Sequence, residues 1–221
     1  MASGKEGTDY VKVADTKPDD IIAYTVGNEL VVESNYAIKA NTDMCGMFDG
    51  DSKYNRDAFG RIKSIDLHVV DVSDVTIMSN LFNSCKSLVS VNTDTWDTSN
   101  VTKLVGTFDR CASLKSIDLN HWNTSNVVNI ACMFEYCEVL SDVHISEWDT
   151  SKVESSAQAF MGCHALQNID LTKWDTHGFA YHCAYMFTDC PLDYICVGPA
   201  FNLNMDSDAY ADAEYADLRH D

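Results

Sequence analysis

Phenylalanine recurs at Phe82, Phe108, Phe134, Phe160 and Phe187, at intervals of 26, 26, 26 and 27 residues, and the other apolar positions follow in step. A fixed period of this size makes one supersecondary unit the building block, because a single unit cannot bury its own apolar face and needs neighbours to cover it. Three residues after each phenylalanine stands a cysteine: Cys85, Cys111, Cys137, Cys163 and Cys190. Leu88, Leu114, Leu140 and Leu166 come next, with Leu192 slightly early after Pro191. Apolar residues then alternate in Val91-Asn92-Thr93, Ile117-Asp118-Leu119, Val143-His144-Ile145, Ile169-Asp170-Leu171 and Ile195-Cys196-Val197, each reading as one short strand. Trp96, Trp122, Trp148 and Trp174 close the unit, followed by Asp97-Thr98-Ser99 and its counterparts at Asn123, Asp149 and Asp175. Their short polar side chains bond nearby backbone groups and favour a turn.

An earlier, degenerate unit starts at Met47-Phe48 and continues through Ile62 and Ile65-Asp66-Leu67 to Val75 after a polar insertion. The pattern therefore predicts a β-rich, α+β-like leucine-rich-repeat solenoid of five to six stacked coils of about 26 residues. A parallel sheet is expected on one face, short helical or irregular segments opposite, and a cap at each end. Residues 1–43 would form an N-terminal cap with a β-hairpin around Gly27-Asn28, 44–198 the solenoid with a surface loop at 49–60, and 199–221 an acidic cap or tail. A short helix carrying Tyr215 and Leu218 on one face is the favoured form of that tail. Stacking would align the phenylalanines, cysteines and leucines into inward ladders, and the tryptophans would close the corners. The cysteines number nine, an odd count, and follow the period, so free thiols are expected rather than a disulfide framework.

The residue order Cys111-Ala112-Ser113-Leu114-Lys115-Ser116-Ile117-Asp118-Leu119-Asn120-His121-Trp122-Asn123-Thr124-Ser125-Asn126-Val127 resembles the unit of the BspA-type leucine-rich-repeat surface proteins, also known as the mycoplasma lipoprotein-associated surface repeat. The resemblance extends over about Met44 to Val197. It implies an adhesin-like or partner-binding protein of bacteria, their phages or some protists, displayed on a cell surface, in the extracellular space or on a virion.

Composition narrows the partners. With 34 acidic against 15 basic residues the formal charge is -19, which repels phosphates and anionic headgroups, so direct nucleic acid binding is not expected. No apolar run is long enough for membrane insertion as a helix. Residues Met1 to Gly7 lack the apolar segment of a secretory leader, which makes the cytoplasm the alternative location.

No common catalytic signature is present, and shallow repeat faces seldom enclose a reacting pair, so the expectation is a non-enzymatic protein- or glycan-binding module without cofactor. Cys163, His164, His177, His182, Cys183 and Cys190 gather Cys and His near the last units, but their spacing fits no zinc finger, and no metal site is expected. One outward position per strand gives the polar row Asp66, Asn92, Asp118, His144, Asp170 and Cys196. It reads either as a hydrogen-bonded ladder or as part of a recognition face. Side chains that vary between units mark the partner-binding candidates: Lys63, Lys115, Asp142, His144, Gln167, Asn168 and Asp193, with the loop from Asp51 to Phe59 beside them. The alternative is an intracellular, phage-encoded acidic inhibitor that occupies a basic groove on a host protein.

Overall fold

The computed structural model describes residues 21–34, 38–51, 59–179, 183–201 and 217–220. Most of the insertion at 52–58 and of the tail at 202–216, with Tyr215, lies outside these described residues, as does His182. β1 (Ile21–Val26) and β2 (Glu29–Ser34) pair antiparallel across Gly27-Asn28. Gly27 takes φ +64°, which a side chain disfavours. There follow β3 (Ile38–Lys39), β4 (Ser64–Asp66), β5 (Val70–Asp71), β6 (Ser90–Asn92), β7 (Ser116–Asp118), β8 (Asp142–His144) and β9 (Asn168–Leu171). A 3-10 turn at His177–Phe179, β10 (Tyr194–Val197) and β11 (Asp217–His220) complete the order. The described residues are thus strand-rich with almost no helix.

Apart from the β1–β2 hairpin, the strands pair in parallel, in four short sheets, none of which closes into a barrel among the described residues. Ile65 pairs with Val91, Ile117 with Val143 and Ile169 with Ile195, each partner one period further on. Equivalent side chains therefore stand beside one another, and the period of two sends them all to the same face. Each strand starts one residue before the apolar alternation, at Ser90, Ser116, Asp142, Asn168 and Tyr194.

A second row of parallel bridges joins Asp43, Ile77, Lys103, Asn129 and Ser155. In the turns that follow, the N–H groups of Asn80, Phe82 and Ser84 donate to the carbonyls of Val105, Thr107 and Asp109 in the next unit, whereas those of Leu81, Asn83 and Cys85 bond back to Met78, Asn80 and Phe82. This alternation places left-handed backbone twice per unit, at Asn80 and Ser84, Gly106 and Arg110, Cys132 and Tyr136, Gln158 and Gly162, and Tyr185 and Asp189. The face opposite the strands is built from these turns rather than from helices.

Inside, the rings of Phe48, Phe82, Phe108, Phe134, Phe160 and Phe187 stack at 5.2 to 5.5 Å between centroids. Each such ring contributes about 1.5–3 kcal/mol by burial, with offset stacking adding to it. Phe59 meets Phe48 edge-on at 5.5 Å and is buried, so this end of the polar insertion turns into the core instead of lying in a surface loop. The indoles of Trp96, Trp148 and Trp174 are buried and donate from Nε1 to the carbonyls of Leu67, Leu119 and Ile145, and Trp122 donates to Thr93 Oγ1. Phe179 packs edge-on against Trp174 at 6.1 Å. None of the nine cysteines is joined in a disulfide.

Of the tail in which a helix is expected, residues 217–220 are described, and they form a strand instead. Leu218 lies in β11, pairing in parallel with Ile195 of β10, and the Arg219 guanidinium sits 4.0 Å from the Tyr194 ring centroid. An unpaired strand edge offers a row of backbone groups to an extended segment such as Asp217–His220.

Candidate functional site

The strands β4, β6, β7, β8, β9 and β10 turn Ile65, Val91, Ile117, Val143, Ile169 and Ile195 inward, and the residues on either side face out. Lys63, Lys115, Gln167 and Asp193 occupy one row with Val89 and Ser141, at the entry to the strands, and their side chains are exposed. Their backbones link the units: Val89 N–H donates to the Lys63 carbonyl, Ser141 N–H to Lys115 and Asp193 N–H to Gln167. Lys63 and Lys115 stand two units apart with exposed Val89 between them, so they do not form one positive patch.

The next rows are Ser64, Ser90, Ser116, Asp142 and Asn168, then Asp66, Asn92, Asp118, His144 and Asp170. Much of the latter row serves the fold. Oδ1 of Asp66, Asn92, Asp118 and Asp170 accepts the N–H two residues on, from His68, Asp94, Asn120 and Thr172, at 3.0 to 3.2 Å. These turns neutralise a backbone donor that would otherwise face solvent at the strand exit. His144 breaks the series. Its Nε2 lies 2.9 Å from Asp142 Oδ1 and its Nδ1 lies 3.6 Å from Asp118 Oδ2, so one imidazole sits between two carboxylates.

Two shallow hollows meet at this histidine. One, of about 350 Å³, is lined by Asn120, Asp142, His144, Ser146, Asn168 and Asp170. The other, of about 290 Å³, is lined by Ser90, Asp94, Ser116, Asp118, Asp142 and His144. They flank the β7–β8 pair, at the two places where the strand pairing is interrupted, between β6 and β7 and between β8 and β9. Of the sequence candidates the structure thus brings together Asp142, His144 and Asn168, and leaves Lys63 and Asp193 apart from them. Asn120 and Asp94 were not singled out, although the 26-residue register carries the signal for them.

Cys163 and Cys190 are buried and donate to backbone carbonyls, and His177 Nδ1 is bound to Asp175 Oδ1 at 2.7 Å. Among the described residues no group of three or more Cys, His, Asp or Glu is gathered as for a metal ion.

The fold and this face define a repeat-built, strand-rich protein with an open, polar sheet surface. The family model described as mycoplasma protein of unknown function, DUF285, matches residues 56–174 and, overlapping them, 118–192, and the chain belongs to this family. No curated protein and no solved structure matches it. No helix among the described residues is long and apolar enough to cross a membrane.

Proposed function

We propose that the chain is a BspA-type leucine-rich-repeat solenoid of five to six coils whose strand face binds a protein or glycan partner without chemistry, at a cell surface, in the extracellular space or on a virion. The carrying observation is the pair of hollows that share Asp142 and His144. Their lining is mostly exposed polar side chains, and His144 stands where neighbouring units keep a turn-forming Asp or Asn, so the fold does not account for it. Both ring nitrogens of His144 face carboxylates, and this exposed, charged pairing supports a role in recognising a partner.

Charge supports a second reading, the acidic inhibitor of a basic groove, because Asp118, Asp142 and Asp170 are exposed on this face in a chain of net charge -19. One experiment separates the two. The protein is incubated with intact cells and with soluble lysate at low and high salt. Retention on cells supports the first reading, and strongly salt-dependent capture of a nucleic-acid-binding protein from lysate supports the second. A variant with charge or polarity reversed at Lys63, Lys115, Asp142, His144, Gln167, Asn168 and Asp193 loses capture with its melting temperature retained. Capture undiminished in that variant moves the site off this face.

A further inference from the structure

Asp109 lies on the turn-built side of the molecule, away from the strand face, with its side chain only 9% exposed. Oδ2 accepts from Asn83 Nδ2 at 2.9 Å and from Arg110 Nη1 at 3.1 Å. Oδ1 is closed to solvent and has no hydrogen-bond partner. A buried carboxylate oxygen left unpaired is among the costlier defects a fold can carry, and a proton on the carboxyl removes the buried charge. The surroundings add to the cost. Asp109 shares its repeat position with Asn83 and Glu135, and the charges of Glu135 and Asp49 oppose its ionisation, while Arg110 alone is cationic. The Asp109 charge also reaches the thiols of Cys111, Cys132 and Cys137, which burial above all raises far above the ordinary thiol range.

We propose that Asp109 is a proton-operated latch: the folded chain carries it as the neutral acid under mildly acidic conditions, and its ionisation loosens the stacking of the Asn83, Asp109 and Glu135 turns. Burial, followed by repulsion from Glu135 and Asp49, pushes the carboxyl from its ordinary 3.8 up to about 6. The sign follows from linkage. A carboxyl raised on folding contributes stability that is full below its unfolded value and is lost as pH rises through the folded value. Between those limits the folded protein holds a proton that the unfolded chain has released.

The test is urea unfolding of the full chain from about pH 4.5 to about pH 7.5, compared with Asp109→Asn, which imitates the neutral acid. The expected result is a folding constant that falls on the order of thirtyfold across this range in the native protein and much less in the variant. Parallel pH profiles overturn the proposal. Should the variant not fold, carbon NMR of the native protein decides: an Asp109 carboxyl titrating well above the exposed aspartates supports the latch, and one titrating among them overturns it.

Discussion

Cys111 donates a hydrogen bond from Sγ to the backbone carbonyl of Phe82, 29 residues earlier, at 3.2 Å. The same bond joins Cys85 to Phe48, Cys137 to Phe108, Cys163 to Phe134 and Cys190 to Phe160, so each thiol ties its unit to the one before. A thiol fills the narrow space as a small apolar group and still offers a donor to a buried carbonyl, which alanine does not. Cys111→Ala should cost about 1–3 kcal/mol in urea unfolding, from the void and the lost donor together. Burial pushes the Cys85 thiol up to about 12 and Cys111 and Cys163 well above their usual range. A thiol-reactive dye should therefore label exposed Cys45 in the native protein and reach this row only after denaturation. Labelling of Cys111 before Cys45 would contradict the packing.

Gly162 has φ +74°, and a Cβ there would lie 2.5 Å from Cδ1 of Tyr136. Two separate penalties thus meet at one site, the left-handed backbone and the ring. Gly162→Ala should cost about 1–3 kcal/mol, and adding Tyr136→Ala should recover the steric share but not the backbone share. A double-mutant cycle on unfolding free energies reads the division; strictly additive costs would show that the ring is not in the way.

Asp118 and Asp142 are both exposed on the strand face yet differ in what they hold. Asp118 Oδ1 accepts the Asn120 N–H at 3.0 Å, whereas Asp142 Oδ1 meets the ring of His144. Asp118→Ala should cost about 0.5–1.5 kcal/mol of stability, and Asp142→Ala should stay within about 0.5 kcal/mol. Thermal melts check both, and equal losses would remove the distinction between scaffold and surface on this face.

At low pH a different set of carboxyls sets the response. The hydroxyl and N–H of Ser73, Ser99 and Ser151 hold Asp71, Asp97 and Asp149 below the ordinary 3.8, and the backbone and ring of His177 do the same for Asp175. A carboxyl depressed on folding contributes stability that is present above its unfolded value and lost as pH falls through the folded one. Melting temperature should therefore drop between about pH 4 and about pH 2, and Asp97→Asn should flatten part of that drop. An unchanged acid limb in the variant would deny these turns their share.

The strand-rich, parallel character was legible because Ile117, Val143 and Ile169 recur at a fixed interval among polar neighbours, and only stacked short strands answer that pattern. What lay between was not. Left-handed backbone falls on Asn80, Arg110, Tyr136 and Gln158 as well as on Gly106 and Gly162, and the two glycines alone of these six announce it, because the inter-unit hydrogen bonds impose the conformation regardless of residue type. The strand at Leu218 was hidden for a related reason: its conformation comes from the edge of β10, not from its own residues. On the strand face the outward residues could be named, but the division between Asp118, bonded to its own backbone, and Asp142, bonded to a side chain, depends on a choice of oxygen partner that residue spacing does not encode.

The N–H groups of Asn80, Phe82 and Ser84 reach forward to Val105, Thr107 and Asp109, and those of Gly106, Phe108 and Arg110 reach forward again to Ala131, Met133 and Glu135. Among the described residues these two junctions therefore present the same set of sockets. A gene that loses or gains one whole period leaves donor facing acceptor as before, whereas a change of any other length breaks the register at once, so copy number is the dimension along which such a protein can evolve its reach.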